Sequence, residues 1–191
     1  ISTGSEAEFD LSAPCGAKEL MMNRKHSQDR VIACIAVSRD VTKNKGIVTG
    51  TEIDVTEHYH NKLLRLRLNP GTWCIQVIYD TVCSQGRGVE DYLDPMRPEA
   101  TDVLIDQIYE KHYSHYSQYF GNTIEGFFSD EPSFGNATGR HEIIGRSDMP
   151  LPWNEEVQKQ LKIRGIDNKE MGFLFLGEGD RPAACRWIYM D

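Results

Sequence analysis

The sequence predicts an α/β protein that carries an antiparallel, β-rich block, and three observations predict it. Residues 31–82 hold four or five strand-like runs with no helix between them. A helical stripe then extends from Pro98 to about Phe120. It leads straight into a short apolar run, Ile124 to Phe128, that ends in Ser129-Asp130-Glu131-Pro132. A buried strand ending in carboxylates delivers them to one rim of a sheet, where parallel α/β enzymes keep their chemistry.

In order along the chain, residues 1–30 open with small and acidic residues. They then carry a helix-compatible piece, Ala17 to Met22, with Leu20 and Met21 as core contacts. Val31-Ile32-Ala33-Cys34-Ile35-Ala36-Val37 is a β-branched run bounded by polar residues, the pattern of a strand buried on both faces. Ile47-Val48-Thr49 and Ile53-Asp54-Val55 are short strand-like pieces. Leu64, Leu66 and Leu68 alternate with Arg65 and Arg67, the period-two signature of a half-buried strand. After the Asn69-Pro70-Gly71 turn, the run Thr72 to Tyr79 sets Trp73, Ile75, Val77 and Tyr79 on one face. Such a block cannot be a βαβ unit, because parallel strands need a crossover connection. Residues 84–88 form a glycine-rich joint.

In the helix that follows, Pro98-Glu99 suits a first turn. Ala100, Leu104, Ile108 and His112 share a stripe, Ile105, Tyr109, Tyr116 and Phe120 adjoin it, and Gly121 is a C′ glycine. Beyond Pro132 a long loop is expected at the same rim. A second helix starts at the N-cap Asn154, with Glu155 and Glu156 in its first turn and Arg164-Gly165 at its exit. Apolar segments 173–176 and 185–189 close the chain.

Composition narrows the function. A 191-residue chain with 39% apolar residues can bury a real core. Its net charge of −8 disfavours nucleic acid and anionic membranes as partners. No apolar run approaches the roughly 20 residues that span a bilayer, and no secretory signal peptide is recognisable, so the location is open between cytoplasm and periplasm. The missing initiator Met at Ile1 suggests a fragment of a longer protein. Cys15, Cys34, Cys74, Cys83 and Cys185 have neither zinc-type pairing nor the density of a disulfide scaffold, and they read as reduced thiols.

Asp130-Glu131-Pro132 is the first constellation with chemistry in it. Successive strand side chains face opposite ways, so only one of the two carboxylates would face a pocket, and Pro132 would fix Glu131 at the strand's end. A carboxyl among Phe127, Phe128 and Phe134 would have its charged form disfavoured, as a general acid requires. The plainer alternative is an acid capping a turn. Asp91-Tyr92-Leu93-Asp94-Pro95 is the second, an acidic and aromatic loop able to bind hydroxyls, or equally an N-cap box built on Asp94. The pairs His58/His60 and His112/His115 lack a third metal ligand by spacing. Asn136-Ala137-Thr138 matches a glycosylation sequon, for which chance is the better explanation without a signal peptide.

The order of motifs carries a resemblance. Residues 89–95, then Pro98-Glu99-Ala100-Thr101, the Tyr-rich helix, residues 119–124 and Phe127-Phe128-Ser129-Asp130-Glu131-Pro132 resemble the α-L-rhamnosidase-like glycoside hydrolases, of the family 106 type. Leu151-Pro152-Trp153, residues 164–167 and Pro70-Gly71-Thr72-Trp73 add to it, although Ser129 stands for the more usual Thr and Asp94 for the more usual Asn. The resemblance implies part of a TIM-type (β/α)8 glycosidase barrel: a barrel-derived helix and loop at 1–30, a β-rich insertion at 31–83 and βα units at 84–191. It further implies hydrolysis of a terminal deoxysugar such as α-L-rhamnose, with Glu131 as proton-donating acid and Asp130 as its neighbour. Asp91, Tyr92 and Trp153 would bind or support the carbohydrate.

A complete barrel takes about 250 residues, so this chain is expected to be too short for one, and inactive alone without the rest of the catalytic domain. The second carboxylate, and the ligands of the calcium that the resemblance makes possible in the parent enzyme, are expected outside it. No cofactor and no metal ligand is expected within it. Two other readings stand beside this one: a non-catalytic carbohydrate- or partner-binding module, and a metal-dependent hydrolase using His58 and His60.

Overall fold

The computed structural model of the chain describes residues 2–3, 6–10, 30–43, 46–80, 93–94, 96–129, 144–145 and 151–191. Its centre is strand β3, Arg30–Asp40, in which Ala33 to Val37 are all fully buried. The uninterrupted β-branched run is buried on both faces because each face meets a different layer. Strand β8, Gly71–Asp80, pairs with β3 antiparallel along nearly its whole length, with a bulge between Val31 and Ala33. Short strands β1 (Ser2–Thr3), β4 (Gly46–Ile47) and β5 (Ile53–Asp54) complete a five-stranded sheet.

A second sheet joins β2 (Glu6–Asp10), β7 (Leu63–Arg67) and β6 (Tyr59–His60) in the order β2-β7-β6. As its alternation predicts, β7 buries Leu64 and Leu66 and exposes Arg65 and Arg67. These leucines meet Cys34, Ala36, Val55 and Trp73 in one core, with Ile75 and Val77 packed against it. The opposite face of β3 presents Ala33 and Ile35 to a second core made by Leu161, Ile166, Met171, Phe173, Leu174 and Cys185. Sheet, sheet and the C-terminal helical segments thus stack in that order, with β3 in the middle layer. Among the described residues all strand pairs in both sheets are antiparallel, and neither sheet closes into a barrel.

Two of these strands differ from expectation. β1 and β2 lie in a region where the sequence predicts loop and helix, and the helix-compatible piece 17–22 lies outside the described residues. β2 runs antiparallel to β7 in a register that sets Glu6 against Arg67, Ala7 against Leu66, Glu8 against Arg65 and Phe9 against Leu64. Such a register is invisible until the partner strand is known.

β6 and β7 are joined by Asn61 and Lys62 alone, with φ of 50° and 67°. Two positive φ values in a two-residue loop match the type I′ turn that fits the twist of a hairpin. Asn tolerates this region, whereas Lys carries the Cβ penalty of about 1–2 kcal/mol. Lys62→Gly is therefore expected to stabilise the protein by about 0.5–1 kcal/mol, the remainder being offset by glycine's freedom in the unfolded chain. A higher urea midpoint at unchanged m checks it, and a lower midpoint would refute the assignment.

The C-terminal layer forms as its capping signals predict. Helix α3, Glu155–Ile163, starts where the Asn154 side chain accepts a bond from Val157 N at 2.9 Å. It ends in a Schellman arrangement, with Gly165 at φ 83°, Gly165 N bonded to Lys162 O at 3.1 Å and Ile166 N to Leu161 O at 2.9 Å. That arrangement turns Ile166 back into the core beside Leu161. A 3₁₀ turn, Asn168–Leu174, supplies Met171, Phe173 and Leu174, and helix α4, Asp180–Met190, closes the layer. Arg186 ties the two together by donating to Phe173 O at 2.8 Å and Gly177 O at 2.7 Å.

Glu170 and Arg181 make a bidentate pair at 2.7 Å for both bonds, and Arg181 also donates to Gly165 O. Hydrogen bonds from Arg181, supported by its charge, hold the Glu170 carboxyl below its ordinary value of 4.5. A carboxyl with a depressed folded-state pKa adds stability above the ordinary value and loses it as pH falls through the folded-state pKa. In urea titrations, Glu170→Gln is expected to lower the midpoint at pH 7 by the equivalent of about 1 kcal/mol, because one partner is solvent-exposed. The difference from the unsubstituted protein should vanish on acidification below the ordinary carboxylate range. A gap that persists at pH 2.5 would assign the effect to packing instead.

Candidate functional site

The long helix is built from α1 (Pro98–Leu104), a π-helical turn (Ile105–Tyr109), α2 (Glu110–Tyr116) and a 3₁₀ turn (Ser117–Tyr119). Its start is shaped by Asp94, although not as a helix N-cap. Asp94 Oδ1 accepts from Met96 N at 3.0 Å, and Oδ2 accepts from Arg97 Nε at 3.0 Å. The N-cap itself is the extended Arg97, with Pro98 at the first helical position, where a missing N–H costs nothing. Gly121, at φ 83°, follows the C-cap Phe120 as the sequence predicts.

The stripe read from the sequence is largely in solvent. Ala100, Leu104 and Tyr109 are half-buried, whereas Ile105, Ile108, His112 and Tyr116 are exposed. The predicted strand Ile124 to Phe128 is also corrected. Among the described residues Ile124 makes one isolated bridge with Phe120, and no strand forms over 125–129. Gly126 interrupts the apolar run, and the rings have an alternative partner in the helix. Phe127 sits edge-on to Tyr109 at 4.7 Å and to His112 at 6.0 Å, and lies 5.6 Å from Phe120. Phe128 is 88% exposed and has no such ring contact among the described residues. The chain therefore folds back along the helix, held by backbone bonds at residues 119–124 and by the Phe127 ring, just before the two carboxylates.

Of the residues singled out from the sequence, Asp91, Tyr92, Asp130 and Glu131 lie outside the described residues, as do Pro132, Phe134 and the sequon at Asn136. Their approaches do not. Asn154 Nδ2 donates to Met96 O at 3.3 Å, so the segment that follows Asp91 and Tyr92 is fastened to the start of α3. Asn154 is 93% buried, and its one side chain serves both the helix cap and this link. Asn154→Ala is expected to cost about 1–2 kcal/mol by losing both bonds, whereas Asn154→Asp keeps the cap and loses only the donor. Equal losses for the two variants in thermal unfolding would show that the link to Met96 carries the energy.

Trp153 is half-buried and packs against the helix-side core. Its indole Nε1 is buried with no hydrogen-bond partner among the described residues, an open donor beside the Asn154–Met96 link. On its other side Tyr189 donates to Pro152 O at 2.7 Å, and burial pushes the Tyr189 hydroxyl's pKa up, which keeps it a neutral donor. Trp153 is thus held in place from both flanks.

The remaining polar features are modest. A cleft of about 270 Å³ is lined by Asp54, Lys162, Asp167, Asn168 and Lys169, which come from three separate elements and share no sequence signal. Asp167 is already engaged, accepting from Glu170 N at 3.3 Å and lying 3.6 Å from Lys169. His58 and His60 are exposed on or beside β6, and His112 and His115 bond carbonyls one turn back, at 2.7 and 2.8 Å. Burial, with the Asp54 charge adding, pushes the Cys34 thiol up to about 11, and burial raises Cys74 and Cys185 as well. A raised thiol is a poor nucleophile at neutral pH. Among the described residues no three metal-ligating side chains come together, so no calcium ligand set is assigned to them. No described helix is long and apolar enough to cross a membrane. Comparison with protein families, with curated proteins and with solved structures finds no match for this chain.

Proposed function

We propose that the chain is part of a glycoside hydrolase acting on a terminal deoxysugar such as α-L-rhamnose, with Glu131 as general acid. The observation that carries this reading is the order of motifs from Val89 to Pro132. The geometry around it is compatible: the Phe127 anchor sets the approach to Asp130 and Glu131, and the Asn154–Met96 bond brings the approach to Asp91 and Tyr92 beside Trp153. In this reading Glu131 gives its proton to the glycosidic oxygen while Asp91 and Tyr92 hold sugar hydroxyls and Trp153 supports the segment that carries them. A second carboxylate, from the rest of the catalytic domain, acts on the anomeric carbon directly or through water. Its separation from Glu131 sets the outcome, about 5–5.5 Å for retention and about 6.5–9.5 Å for inversion. Calcium, if the parent enzyme holds it, would bind through residues outside this chain.

A second reading, a non-catalytic carbohydrate- or partner-binding module, is favoured by one observation. Tyr113, Tyr116 and Tyr119 are all exposed on the long helix. Aromatic residues with a polar tip are suited to surfaces that meet a partner. Turnover of aryl α-L-rhamnosides by the full-length parent protein decides between them. Hydrolysis supports the enzyme, whereas sugar binding by calorimetry without any turnover supports the module.

A further inference from the structure

We draw no further inference here: the strongest candidate, the exposed apolar stripe of the long helix formed by Ile105, Ile108, Tyr116 and Tyr119 with Phe128 beside it, carries nothing because nothing in the structure shows what covers it.

Discussion

Phe173→Ala is expected to lower the unfolding free energy by about 3–5 kcal/mol, the range for deleting a fully buried aromatic side chain. Phe173 is 2% exposed and sits among Ala33, Ile35, Leu161, Ile166, Met171, Leu174 and Cys185. The two β3 residues in that group are fully buried and small or rigid, so the layer has little means of collapsing into the void. Against a typical total of about 5–15 kcal/mol, a loss of this size removes much of the protein's stability. The variant also tests the architecture. If β3 is shared between two cores, Phe173→Ala on one side and Leu64→Ala on the other should move the same single transition, seen alike by fluorescence and far-UV circular dichroism. Two separable transitions, or a Phe173→Ala shift no larger than the roughly 0.5 kcal/mol of a surface change, would show that the helices do not share the core of the sheet.

That shared core marks the limit of what local pattern reveals. The run Val31 to Val37 is legible as a strand buried on both faces, because continuous apolarity has no other use in so short a segment. Nothing in it says that Ala33 and Ile35 wait for residues 161–185 while Cys34 and Ala36 wait for Leu64 and Leu66. β7 is legible from its alternation and α3 from Asn154, because both signals are contained within a few residues. β2 is not, since Glu6-Ala7-Glu8-Phe9-Asp10 looks like an acidic loop until β7 sets its leucines and arginines across from it. The long helix is legible in extent but not in burial. Its stripe records where apolar residues lie, and burial depends on what covers them.

The segment Ile124 to Phe128 fails for a related reason. Short apolar runs fit a strand or an aromatic anchor equally, and here a tyrosine and a histidine at helical spacing offered Phe127 the second choice. At the candidate site, the position of Trp153 against the core was not legible either. The hydrogen bond from Asn154 to Met96, which links the start of α3 to the approach of the long helix, spans 58 residues and leaves no mark in either neighbourhood.

The loss of the strand changes how Glu131 must be tested. Period-two alternation would have turned Asp130 and Glu131 to opposite faces, but residues 125–129 form no strand, so alternation no longer selects between them. Only the resemblance favours Glu131 as the acid. On the proposed glycosidase reading, Glu131→Gln in the full-length protein is expected to lower kcat on alkyl α-L-rhamnosides by about 10²–10⁴-fold, the worth of a positioned proton donor. A carboxamide keeps the shape and loses the proton, so the loss should shrink when the leaving group is an acidic phenol that departs without protonation. The high-pH limb of kcat/KM, which reports deprotonation of the acid in the free enzyme, should disappear in the same variant. Asp130→Asn, measured alongside, should lower the rate less and keep both the leaving-group pattern and the limb. If instead Asp130→Asn abolishes the limb and Glu131→Gln does not, the acid is Asp130; equal rates for Glu131→Gln and the unsubstituted enzyme remove Glu131 from the chemistry.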